Sequence, residues 1–258
     1  MITDALTAST RKMVLSLASA KGRKAVGAFI AEGTRCVCDS LGKFQLLHLF
    51  ATSEWLAEHS TYAPVATQVS SRDIERISQQ KTPQPVIAVF RIPETELYAY
   101  DGDMALALDA VQDPGNLGTI IRLADWFGIT HIIAGPGTAD AFAPKVVQAT
   151  MGALARVKVH RVDDLADTLR RSGAPIIGTF LDGDNLYTQD FPLSPRPIIV
   201  MGNEGNGISK EVESAVNRRI LIPSFPPGRQ TSESLNVATA SGIIISELSR
   251  RIYGKTTI

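Results

Sequence analysis

The chain has 258 residues, 44% hydrophobic and 20% charged, a balance ordinary for a folded globular protein that excludes a disordered one. Its formal net charge is zero, so the chain as a whole does not announce a nucleic-acid binder. No apolar run reaches the roughly 20 residues of a membrane-spanning helix, and MITDALTAST shows no basic region leading into an apolar core, so neither a membrane protein nor a secretory signal is expected. The length allows one large domain or two smaller ones.

In chain order, residues 9–20 carry Met13, Val14, Leu17 and Ala18 at helical spacing, and the basic stretch KGRKAVG that follows reads as a turn. Residues 1–30 hold Arg11, Lys12, Lys21, Arg23 and Lys24 against Asp4 alone. That is either a basic surface for nucleic acid or a solvated face. Strands are predicted over 29–31, 46–51, 65–69 and 86–90, with helices over 32–41, 54–58 and 71–79. Cys36 and Cys38 are the only cysteines. On a helix they stand about 200° apart around the axis, which suits neither a disulfide nor a metal pair. They fit structural thiols of a reducing cytoplasm. His48, His59, His131 and His160 follow no zinc spacing, and no metal is expected.

The stretch RIPETELYAYDGD has little apolar content and reads as a linker. The division expected is a small α/β domain over 1–92, a linker over 93–103 and a second domain over 104–258. In the second, strands over 104–111, 131–134, 156–160, 175–181, 198–201 and 220–222 are separated by helices over 119–127, 144–151, 163–171 and 209–217. Asp163 is the expected cap of the third helix. A last helix spans 235–248. That alternation indicates a parallel sheet covered on both faces.

Ligands of such sheets bind beyond the carboxyl ends of the strands. Three polar, glycine-rich loops follow strand ends there: DPGNLG, GNEGNG and PSFPPGRQTSES. GNEGNG alone is as readily a tight strand-to-helix connection, and its glycine spacing is not the dinucleotide fingerprint. Taken with DPGNLGTIIR upstream and SLNVATA downstream, it marks a site.

These segments resemble the three motifs of the SpoU (TrmH-type) family of RNA ribose 2′-O-methyltransferases, within the SPOUT superfamily. Asn116, Gly118 and Arg122 meet the first, Gly202, Asn203, Glu204 and Gly207 the second, and Ser234, Leu235, Asn236 and Val237 the third. Residues 9–90, with FIAEGTR, resemble the family's ribosomal-protein-like substrate-binding domain. The resemblance implies an α/β fold whose C-terminal parallel-sheet domain is a trefoil knot. It also implies a homodimer and bound S-adenosylmethionine, contacted by Thr179, Gly202, Ile222, Ser234 and Leu235. Catalytic roles are implied for Arg122, Asn116, Glu204 and Asn236. The RNA contacts expected from the local basic charge are Arg11, Lys12, Lys21, Arg23 and Lys24, with Arg229 from the loop before the third motif. The loop from Ile222 to Leu235 is longer than the family's usual connection and can reach toward RNA. The substrate expected is ribosomal RNA of 23S type ahead of transfer RNA, in the cytoplasm.

The residues themselves leave choices open. Arg122 either binds phosphate and polarises the ribose hydroxyl or pairs with Asp125 on a helix surface. Asn116 and Asn236 are caps, contacts or both. Glu204 either orients Arg122 or only solvates its turn. Readings from other classes are a nucleotide-dependent oxidoreductase and a non-catalytic RNA-binding protein.

Overall fold

The computed structural model describes residues 6–94, 96–190, 192–226 and 234–254. In chain order the elements are α1 (Ala8–Ser16), α2 (Ala20–Val26), β1 (Ala28–Glu32), α3 (Thr34–Ser40), β2 (Leu46–Ala51), α4 (Ser53–Glu58), β3 (Thr67–Gln68), α5 (Ser71–Ile77) and β4 (Val86–Arg91). There follow β5 (Ala105–Leu108), α6 (Pro114–Trp126), β6 (His131–Ala134), α7 (Pro144–Thr150), β7 (Lys158–Arg161), α8 (Leu165–Ser172), β8 (Ile176–Asn185), β9 (Ile198–Met201), α9 (Lys210–Glu213), β10 (Arg218–Leu221) and α10 (Val237–Tyr253).

Several boundaries differ from expectation, each for a local reason. KGRKAVG is not a turn but lies in α2, whose first turn is capped by Ser19 Oγ accepting from Gly22 N–H at 3.0 Å. Gly22 is needed there: a Cβ would stand 1.9 Å from the Ser16 carbonyl oxygen of α1. Helix α6 begins at Pro114, not Thr119. The Asp113 carboxylate accepts from Asn116 N–H at 2.8 Å, and proline fits the first helical position because its missing N–H would be unpaired anyway. Asp164, not Asp163, caps α8, accepting from Asp167 N–H at 2.8 Å.

The chain forms two compact units, Met1–Glu94 with Asp140–Ala155, and Thr95–Ala139 with Arg156–Ile258. The segment around α7 packs in the first unit. Phe142 lies 4.9 Å from Phe29, ring centre to ring centre, within a cluster that includes Phe44 and Phe90. The Cys36 thiol meets the Val147 carbonyl at 3.9 Å. Cys36 is buried and Cys38 half-buried, as opposite sides of α3 require.

The first unit is built on a four-stranded sheet of order β1-β4-β2-β3, antiparallel except for β2 with β3. Alternate residues of a strand face opposite ways. Ala28 and Ile30 pack with Val14, Leu17, Ile74 and Ile77 of the helices on one side, while Phe29 joins the aromatic cluster on the other.

The second unit holds a six-stranded sheet of order β10-β8-β9-β5-β6-β7, with every neighbouring pair parallel. Strands β5 and β9 at its centre are buried at every position, which is why they appear in sequence as unbroken apolar runs. The β8–β10 pairing skips residues 179–183, passing from Gly178 opposite Arg219 to Asp184 opposite Ile220.

Candidate active site

All six strands run the same way, so the loops after β5, β9 and β10 leave one edge of the sheet. The GNEGNG turn after β9 is fixed by its own backbone. Asn203 and Gly207 exchange backbone hydrogen bonds at 2.9 and 3.0 Å, and Asn203 Oδ1 accepts from the N–H groups of Gly205 and Asn206. Gly202 is where this turn folds back: a Cβ there would lie 2.3 Å from the Gly207 carbonyl carbon.

Two contacts bind this turn to the loop after β5. The Asn203 side chain donates to the Ala110 carbonyl at 2.8 Å, and Ala110 holds a left-handed φ of 55°, uncommon for a residue with a Cβ. Buried Asp109 accepts from Ser209 N–H at 2.7 Å.

Glu204 then reaches the start of α6. Its carboxylate accepts from the Asn116 side chain at 2.9 Å and from Gln112 and Asp113 N–H at 3.4 Å. Burial pushes its pKa up, but these bonds and its own N–H outweigh that, and the net shift is downward. Glu204 is therefore held as a carboxylate. It does not orient Arg122; it fixes Asn116.

Asn116 is not the cap of α6, since Asp113 is. Its side-chain oxygen accepts from the Asn236 side chain at 2.9 Å. Asn236 both caps and contacts: its own oxygen accepts from Ala238 and Thr239 N–H at the start of α10. Glu204, Asn116 and Asn236, one from each motif, thus form a single chain of hydrogen bonds.

Arg122 stands exposed two turns into α6. The ion pair with Asp125, the alternative to a role in binding phosphate, is absent. Asp125 is taken by Arg156, whose guanidinium donates from Nε at 2.8 Å and from an amino group at 2.9 Å. Among the described residues Arg122 has no hydrogen-bond or ion-pair partner, so its planar, permanently charged fork is open to a ligand.

A family model described as the SpoU rRNA methylase family matches residues 103–246, more than half of the chain. The chain belongs to the SpoU rRNA methylase family. A second model, the MRM3-like substrate binding domain, matches residues 10–88 of this SpoU protein. A Bacillus subtilis relative named 23S rRNA (guanosine(2553)-2′-O)-methyltransferase RlmP is 31% identical over 237 residues, covering 88% of this chain and 91% of its own. A solved structure of a TrmH-family RNA methyltransferase from Porphyromonas gingivalis is 43% identical, with a TM-score of 0.87 over 96% of this chain and 100% of that one. An AdoMet-bound rRNA methyltransferase from Sinorhizobium meliloti is 30% identical, with a TM-score of 0.83 over 97% of each chain. Membership of the SpoU family displaces the oxidoreductase reading.

The residues expected to meet cofactor lie at adjacent strand ends of this SpoU domain. Thr179 follows the parallel-paired part of β8 and donates to the Val200 carbonyl of β9 at 3.3 Å. Gly202 follows β9, half-buried Ile222 follows β10, and Ser234 and Leu235 precede the Asn236 cap. Leu235 is 48% exposed, and Phe225, beside Tyr187, is 66% exposed.

Of the cations expected at RNA, Arg11 and Lys12 lie exposed on α1, and Lys21 and Lys24 exposed on α2. Arg23 is a correction. It is 4% exposed and fully engaged, donating to Asp140 at 2.6 and 2.9 Å and to the carbonyls of Leu17 and Ala18. The helix it belongs to turns it inward, where it closes the α1–α2 corner. Arg229 lies outside the described residues. The sequence reading missed Asp113 and Gln112 as organisers of the site, although an Asp-Pro pair before an apolar helix was the available signal for Asp113.

Proposed function

We propose that this protein transfers a methyl group from S-adenosylmethionine to a ribose 2′-hydroxyl of ribosomal RNA, of 23S type. The observation that carries the reading is the hydrogen-bonded chain Glu204–Asn116–Asn236, which joins all three motif loops beside an unpartnered Arg122. The name of the Bacillus subtilis relative supports the substrate class, and the AdoMet-bound Sinorhizobium meliloti structure supports the cofactor.

The residues fit that cofactor chemically. Open apolar side chains at Leu235 and Phe225 suit an adenine ring, and the close-packed Gly202 backbone leaves the turn free of a side chain. Thr179, Gly202, Ile222, Ser234 and Leu235 would hold it. Bound there, it supplies an electrophilic sulfonium methyl. Arg122 binds a substrate phosphate and stabilises the negative charge that grows on the ribose oxygen. Asn116, fixed from both sides, orients the hydroxyl, and Glu204 and Asn236 act through Asn116. Positioning of this kind supplies much of the acceleration in group transfer.

We read the first unit as the RNA-binding part, through Arg11, Lys12, Lys21 and Lys24. The domain division is read at 93–103, with the segment from β9 onward threaded into a trefoil knot. The working form is a homodimer in the cytoplasm. Gly115, Thr119, Arg122 and Trp126 form one exposed stripe on α6, and Trp126 is 83% exposed, which favours a second subunit against that face.

The deciding assay follows labelled methyl from S-adenosylmethionine into 23S rRNA, with transfer RNA and DNA as comparators, and maps the product by ribose-methylation sequencing. Label at a ribose of 23S rRNA is the expected result. Label on a base, or on transfer RNA alone, would replace the reading.

A further inference from the structure

The first unit contains a cavity of about 340 Å³ between the loop after α5 and helix α7, over the end of β1. Sites for small ligands ordinarily begin near 300 Å³. Ile30, Pro144 and Val147 give it apolar walls.

Its polar groups are unusual for a structural void. Glu32 lines it although only 4% exposed. The Glu32 carboxylate accepts from Ser78 Oγ–H at 2.5 Å and from Gln79 N–H at 2.7 Å. A carboxylate has about four acceptor positions, so two remain. Burial raises its pKa, an effect these two bonds only partly offset. Across the cavity, Gln80 of the loop after α5 donates its side-chain N–H to Gln148 Oε1 of α7 at 2.8 Å, leaving the Gln148 amide N–H groups and the Gln80 carbonyl open. Lys81 and Lys145 are exposed at the rim, and among the described residues neither has an ion-pair partner.

We propose that this cavity receives one unpaired guanine nucleotide of the RNA, with the base against Glu32 and its phosphate on Lys81 and Lys145. The proposal rests on the RNA methyltransferase reading above. Apolar walls accept the faces of a splayed-out base, the usual way single-stranded RNA is read. Guanine alone among the RNA bases presents two adjacent N–H donors, N1–H and N2–H, on its pairing edge. Adenine and cytosine place a lone pair beside their donor, and uracil flanks its single N–H with carbonyls. Each would turn a lone pair toward the carboxylate and be rejected.

The test titrates the full-length protein with GMP, AMP and UMP by calorimetry. GMP is expected to bind at least about tenfold more tightly than AMP or UMP, as a bond to a charged acceptor allows. Glu32→Gln should remove that preference, and Lys145→Ala should weaken GMP severalfold with the preference kept. Thermal unfolding checks each variant. If Glu32→Gln does not fold, Gln148→Ala and Lys145→Ala decide the location. Equal affinity for GMP and AMP, no GMP binding at millimolar concentration, or GMP binding unchanged in the folded variants would each overturn the proposal. Methyl transfer to 23S rRNA is measured on the same preparations. An inactive wild type that still prefers GMP would count against the functional reading and not the cavity. An active wild type whose KM for RNA is unmoved by Lys145→Ala and Gln148→Ala would count against the cavity alone.

Discussion

Asn236, the cap of α10, donates its side-chain N–H to the Asn116 side-chain oxygen at 2.9 Å, joining positions 120 residues apart. Because Asn116 in turn donates to Glu204 at 2.9 Å, the amide is held with one defined orientation: oxygen toward α10, nitrogen toward the turn after β9.

Asn116→Asp is the sharpest probe of that arrangement. It keeps the shape but faces the Glu204 carboxylate with a second one. The contact is solvent-accessible, so the effect on stability should be about 1 kcal/mol or less. Methyl transfer should fall by roughly tenfold or more through lost orientation. Lowering the pH should restore part of the activity by protonating one carboxylate. Single-turnover rates at pH 5.5 and 8 test this; a rate equal to wild type at both would remove Asn116 from the reaction.

Arg122→Ala should leave unfolding within about 0.5 kcal/mol of wild type, because the side chain is exposed and unpartnered. The affinity for S-adenosylmethionine should also be unchanged. The methylation rate should drop by about 10² to 10³. Arg122→Lys should recover only part, since an ammonium lacks the planar fork. Activity within a few-fold of wild type would return Arg122 to the helix surface.

Arg23→Ala separates structure from RNA binding. Removing this buried guanidinium leaves two carbonyls and the partly exposed Asp140 Oδ2 without its bonds, at a cost of about 3 kcal/mol. Arg11→Ala, Lys12→Ala, Lys21→Ala and Lys24→Ala should barely change unfolding. Each that removes a phosphate contact lowers the salt slope of RNA binding by about one. Chemical denaturation and RNA titrations at several salt concentrations read the two effects independently. Unchanged salt slopes in all four surface variants would relocate the electrostatic anchor.

Glu247 sits between Arg250 and Arg251 on α10, and their hydrogen bonds, only partly opposed by burial, lower its pKa to about 2. Its folded pKa lies below the ordinary 4.5, so the stabilisation is complete above about pH 4.5 and is lost as the pH falls toward 2. Arg251 also donates to the Gln189 carbonyl at 2.6 Å, which couples the loss to the segment before β9. Glu247→Gln should cost about 2 kcal/mol at pH 7 and only a small part of that at pH 2. Denaturant midpoints across that range measure it. A difference from wild type that persists undiminished at pH 2 would assign the effect to packing.

The sequence by itself determined the elements whose signal is local. The apolar runs at 105–108 and 198–201 are strands because both faces of a central parallel strand are buried. Cys36 and Cys38 face apart because helical rotation separates them, and the three motifs stand in the order their loops leave the sheet. Partnership was not local. Asp125 lies beside Arg122 in the chain but binds Arg156. Asp140 and Phe142, far from α2 and β1 in sequence, close the first unit against Arg23 and Phe29. The link among Glu204, Asn116 and Asn236 exists only because successive crossovers return parallel strands to one sheet, delivering distant loops to the same edge. A side chain's period names the face it lies on; which donor it meets there is decided by the crossing of the whole chain.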